Sequence, residues 1–107
     1  MIKGKAEIRL ICGDSYQKNI IIENVDKSMI EDVYFSCEKL HICQKLEYIS
    51  ETNKFRFFLS REETKVLEKG VYDYDITIKF VNNIVKTIPY RYLFVVLPKI
   101  NKVGCME

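Results

Sequence analysis

At 107 residues, 48% of them hydrophobic and 30% charged, the chain has room for one modest core and none for two. Seventeen Lys and Arg stand against fifteen Asp and Glu, a net charge of +2, with the two signs interleaved, so no basic footprint for nucleic acid is present. Seven Tyr and six Phe, beside frequent Ile and Val, favour strands over helices.

Ala6, Ile8, Leu10 and Cys12 alternate with Glu7, Arg9 and Ile11, which predicts a first strand with one buried face. Gly13-Asp14-Ser15 marks a turn, and a second strand is expected from about Gln17 to Glu23. Asn24 to Asp32 reads as a loop, and Val33, Phe35 and Cys37 share the next inward face. Lys39-Leu40 makes a short connection. Ile42, Leu46 and Tyr48 suit one further strand, in which Gln44 breaks the pattern, and Ser50 to Asn53 reads as a hairpin turn. Phe55, Phe57 and Leu59 form another inward row.

Ser60-Arg61-Glu62-Glu63 is a capping box and predicts a short helical turn near residues 61–68, with Val66 and Leu67 fastening it to the core and Gly70 terminating it. Tyr72, Tyr74, Ile76, Ile78 and Phe80 then alternate with Asp73, Asp75, Thr77 and Lys79, the longest unbroken alternation in the chain. Asn82-Asn83 signals a hairpin, and Ile84 to Leu97 forms the return strand. Pro89 within it implies an edge position, a bulge or a switch between sheets. Pro98 ends the strand, and the tail over residues 98–107 is expected to be loose, leaving a core of about residues 6–97 in one domain, 1–107. About seven or eight strands at this spacing predict an all-β antiparallel sandwich, with a small barrel as the alternative.

Signals for chemistry are sparse. The N-terminus lacks the apolar stretch of a secretory signal, and no segment approaches the ~20 apolar residues of a membrane span, so folding in the cytoplasm is expected. Cys12, Cys37, Cys43 and Cys105 include no Cys-x-x-Cys pair and read as thiols, Cys12 and Cys37 as core residues. Cys37, His41 and Cys43 have a spacing that zinc could use, but only on an uninterrupted strand, so no metal ligand is assigned. Asp73 and Asp75 are better explained as a solvent row than as an acid–base pair. Tyr72, Tyr74, Tyr90 and Tyr92 read as core more readily than as a stacking platform. No phosphate loop or hydrolase motif exists, so no catalytic or cofactor-binding residue is assigned. Tyr90, Arg91 and Tyr92 are the candidate interface residues, because Tyr and Arg anchor contacts between proteins.

Three stretches carry a likeness: Gly13-Asp14-Ser15-Tyr16, the run from Phe57 through Ser60-Arg61-Glu62-Glu63-Thr64 to Leu67, and Gly70-Val71-Tyr72-Asp73-Tyr74-Asp75-Ile76. In this order the chain resembles the small N-terminal domain of phage baseplate upper proteins, an immunoglobulin-like module of phages and prophages of Gram-positive bacteria. It departs from that pattern where Asn24 to Ser28 replaces an Asp-Gly turn, and where Tyr90-Arg91-Tyr92 stands in place of a Gly before the last strand. The resemblance implies a non-enzymatic tail or baseplate accessory component. Its implied partners are other tail proteins and further copies of itself, with no nucleic acid and no membrane. It would be made in the host bacterial cytoplasm and located in the virion. The receptor-binding extension of longer relatives is not in this sequence, so host binding is not implied. The alternatives are a carbohydrate-binding or adhesion module and, third, a small zinc-binding protein.

Overall fold

A computed structural model describes residues 2–99. Nine strands are present among them: β1 (Ile2–Lys3), β2 (Ile8–Ile11), β3 (Tyr16–Ile22), β4 (Ile30–Cys37), β5 (Ile42–Lys45), β6 (Glu47–Ile49), β7 (Lys54–Leu59), β8 (Gly70–Phe80) and β9 (Val85–Leu97). They form two sheets, ordered β1-β3-β7-β6 and β2-β9-β8-β4-β5. This is the arrangement of an immunoglobulin-like sandwich, with the first strand divided between the sheets at Gly4, whose φ is +97°. All pairings are antiparallel except β2 with β9, which run parallel through Ile8↔Phe94 to Ile11↔Leu97. That pairing joins the two ends of the chain, and no local pattern announces it.

The inward rows meet as expected from their alternation. Ile8 and Leu10, Val33 and Phe35, Phe55 and Phe57, and Tyr74, Ile76 and Ile78 are all buried between the sheets. Phe35 lies at the centre, stacked on Phe57 at 3.9 Å and on Tyr74 at 4.9 Å, with Phe94 tilted against it at 5.7 Å. The Tyr74 hydroxyl donates to the Ala6 carbonyl, and burial pushes its pKa far above the ordinary phenol value.

One end of the sandwich is closed by polar contacts. α1 (Arg61–Lys65) begins at Ser60 with both halves of the capping box formed. It is shorter than the turn expected over residues 61–68, and Gly70 opens β8 rather than ending the helix. Val66 is 81% exposed and fastens nothing, whereas Leu67 packs on the core. The anchor is Thr64, fully buried, whose hydroxyl accepts from the Gly13 amide at 3.1 Å and donates to the Asp14 carbonyl at 2.8 Å. Arg61 Nε donates to the Gly13 carbonyl, and Cys12 Sγ to that of Leu67. Tyr72 completes the corner: its hydroxyl donates to the Glu68 carbonyl at 2.7 Å. This is the tyrosine corner of immunoglobulin-like folds. A Cβ at position 70 would meet the Tyr72 ring at 3.1–3.3 Å, so glycine there gives the ring its place.

The connections follow local chemistry. Asn53 and Asn83 take positive φ in the two hairpin turns where they were expected. The loop predicted over Asn24–Asp32 ends earlier, in a 3-10 turn at Lys27–Met29, and Ile30 to Asp32 already belong to β4. The one strand expected through Ile42, Leu46 and Tyr48 is two strands. At Leu46 the chain leaves the five-stranded sheet for the four-stranded one. Gln44 explains its own irregularity, since its carboxamide donates to the Phe58 carbonyl at 2.8 Å and accepts from the Phe58 amide at 3.0 Å. The side chain thus pairs with β7 beyond the reach of β6 and ties the two sheets together. Gln44→Ala is expected to cost about 1 kcal/mol and to speed amide exchange at Phe58, readable by denaturant melts and hydrogen exchange.

The sheet edges are short or blocked. β1, β2, β5 and β6 have 2, 4, 4 and 3 residues. β2 covers β9 only from Phe94 onward, and the rest of that edge carries Pro89, which has no amide hydrogen to offer.

Candidate contact face on the five-stranded sheet

The outer side of the five-stranded sheet has two unlike halves. In one, charges are satisfied locally: Lys45 pairs with Asp32 at 3.0 Å and Lys79 with Glu31 at 2.9 Å, and each carboxylate raises the pKa of its lysine. Between these pairs, Thr77 and Thr87 share a hydrogen bond at 3.2 Å. The other half is apolar. Register sets Val71 beside Val95 and Ile11 beside Leu97. Their inward neighbours Tyr72, Phe94, Val96 and Leu10 pack in the core, so these four side chains face outward. Ile11 is 40% exposed and Val71 55%. Arg9, level with Val95, gives the strip a charged rim.

A bulge adjoins this strip. Tyr72 pairs with Phe94 but Tyr74 with Tyr90, so Asp73 alone opposes Arg91, Tyr92 and Leu93. Asp73 Oδ1 accepts from the Tyr92 amide at 2.9 Å and holds Tyr92 at φ +59°, a conformation that costs a tyrosine about 1 kcal/mol or more. The result is a side chain 71% exposed at the margin of the apolar strip. Beside it is a hollow of about 230 Å³ lined by Ser36, Glu38, Asp73, Asp75, Pro89 and Arg91, among others. Burial, and then the nearby Glu38, raises the Asp75 pKa above the usual carboxylate range.

The residues singled out from sequence are therefore divided. Arg91 and Tyr92 are on the surface, but Tyr90 is half-buried and stacks on Tyr74 at 4.8 Å, so it belongs to the core side. Tyr72 and Tyr74 also face inward. Cys37 is buried, while Cys43 pairs with Ser36 on the outer side of the sheet and the chain turns through His41 at φ +57°. These three side chains do not converge. Cys12 is only partly buried, Cys43 is exposed, and Cys105 lies outside the described residues, as does the tail from residue 100. A second hollow, about 380 Å³, is lined by Cys12, Gly13, Arg61, Glu62, Lys65 and Lys99, where Arg61 and Lys99 already serve Gly13 and Asp14.

Sequence reasoning missed Ile11, Val71, Val95 and Leu97. A signal existed for three of them. Ile11 interrupts the polar row of its strand, and the unbroken apolar run Leu93 to Leu97 implies greasy side chains on both faces. Among the described residues no group of three His, Cys, Asp or Glu is arranged to hold a metal ion, and no helix is long and apolar enough to cross a membrane. No protein-family model matches the chain, and no curated protein matches it.

Proposed function

We propose that the protein is a non-enzymatic assembly module that holds partner proteins on the apolar half of its five-stranded face, and that its setting is a phage or prophage tail, as a baseplate or tail accessory component. The observation that carries the contact reading is the strip of Ile11, Val71, Val95 and Leu97 on the outer side of three strands, in which Ile11 and Val71 are exposed and Val95 and Leu97 half-buried. An apolar centre rimmed by Arg and Tyr is the composition of a protein interface. Arg9, Arg91 and Tyr92 supply that rim. The tail setting is supported by the resemblance. Its three stretches meet at one corner, where Thr64 joins Gly13 and Asp14 and where Gly70 makes room for Tyr72. The sugar-binding alternative is not favoured, because it requires a row of exposed tyrosines, and Tyr72, Tyr74 and Tyr90 all pack on the core.

The test is co-assembly with the tail proteins encoded beside its gene, followed by mass spectrometry of purified particles. The wild-type chain is expected in the particle, and Val71→Asp is expected to weaken its incorporation or affinity by about tenfold or more while leaving the melting temperature nearly unchanged. Association that ignores Val71→Asp overturns the contact face. Absence of the chain from particles overturns the tail setting.

A further inference from the structure

The contact face pairs its apolar strip with an acidic hollow. Glu38, Asp73 and Asp75 contribute three carboxylates there, against the single guanidinium of Arg91, in a chain whose net charge is +2. None of the three carboxylates makes a salt bridge among the described residues, unlike Asp32 and Glu31 in the other half of the same face. Asp73 and Val71 lie on the same side of β8, two residues and so about 6.7 Å apart, which makes hollow and strip one continuous surface.

We propose that the partner is a protein segment presenting an arginine or lysine flanked by apolar side chains, its cation seated among Glu38, Asp73 and Asp75 and its apolar neighbours on Val71 and Val95. The inference rests on the reading of this face as a contact surface and adds the chemistry of what covers it. Charge complementarity selects the occupant: an acidic partner meets like charges, and a purely apolar one strands three carboxylates at a partly desolvated site. A cation offsets the burial, and then the repulsion from Glu38, that raise the Asp75 pKa. Arginine suits the position better than lysine, because its planar fork can bridge two carboxylates at once.

Two short blocked peptides test this against nitrogen-15-labelled full-length protein: acetyl-Leu-Arg-Leu-amide, and the same peptide with citrulline, which keeps the shape and removes the charge. The arginine peptide is expected to give saturable amide shifts at Ser36, Asp73 and Asp75, extending to Val71 and Val95. The citrulline peptide is expected to bind at least about fivefold more weakly, and Asp75→Asn to reduce arginine binding by a similar factor. Equal response to the two peptides, shifts elsewhere on the molecule, or no shift with either overturns the inference. So do concentration-dependent shifts of the same residues without peptide, with a doubled mass in solution, since the occupant is then a second copy of the chain. If the arginine preference fails while Val71→Asp still weakens co-assembly, the basic-partner inference falls and the contact face stands. If Val71→Asp has no effect, the face itself is refuted.

Discussion

Replacing Phe35 with Ala is expected to cost about 4–5 kcal/mol, the upper part of the range for a buried phenylalanine. The ring has no exposed surface and touches three other rings, Phe57, Tyr74 and Phe94, drawn from both sheets. Aromatic pairs of this kind contribute about 0.5–1.5 kcal/mol each beyond the area they bury. The neighbouring rings are held by β7, β8 and β9 and have little freedom to collapse into the space left. Against a total stability of about 5–15 kcal/mol, such a loss lowers the melting midpoint by roughly 15–25 °C or prevents folding at 37 °C. Phe35→Leu removes three carbons and is expected to cost about 2 kcal/mol, which keeps the prediction measurable if the alanine variant does not fold. A thermal melt of Phe35→Ala within a few degrees of wild type refutes the central role of this stack.

The second large effect is expected at Thr64. Valine matches threonine in shape but removes the hydroxyl that receives the Gly13 amide and reaches the Asp14 carbonyl. The Thr64 side chain is fully buried and both hydrogen bonds are part-buried, so both backbone groups lose a partner that water only partly replaces. Each unsatisfied group costs about 1–3 kcal/mol, and Thr64→Val is expected to destabilise by about 2–3 kcal/mol in chemical denaturation. Thr64→Ser keeps the hydroxyl and is expected to lose only about 1 kcal/mol. Hydrogen exchange separates the two, since the Gly13 amide loses protection in the valine variant alone. A valine variant as stable as wild type beside a destabilised serine variant shows that the methyl group, not the hydroxyl, anchors α1.

The parts of this fold that were legible in the sequence are those whose cause is local. Tyr72 to Phe80 alternate strictly because β8 is covered on one side only, and Ser60 with Glu63 spells a helix start within four residues. The features that escaped are those whose cause is distant. Ile42, Leu46 and Tyr48 share one parity, and counting by twos cannot detect that the chain changes sheets at Leu46. β1 is too short to form a pattern, and its partner Ile22 is some twenty residues away. The length of α1 is set by the contacts of Thr64 with a turn fifty residues earlier rather than by helix propensity. The proposed contact face was half legible. Tyr90, Arg91 and Tyr92 lie on β9, the strand that also carries Val95 and Leu97, but the bulge at Asp73 turns Tyr92 outward and leaves Tyr90 on the core. Alternation alone assigns these two tyrosines to the same side.

The short and proline-interrupted sheet margins have a consequence for life at high copy number. A long, flat, unpaired strand is a template on which identical chains zip together into fibres. The described residues offer only brief stretches of free backbone, and the longest is broken by Pro89. Identical chains can therefore be crowded together and remain separate folded bodies, joined where side chains match and not wherever two backbones happen to meet.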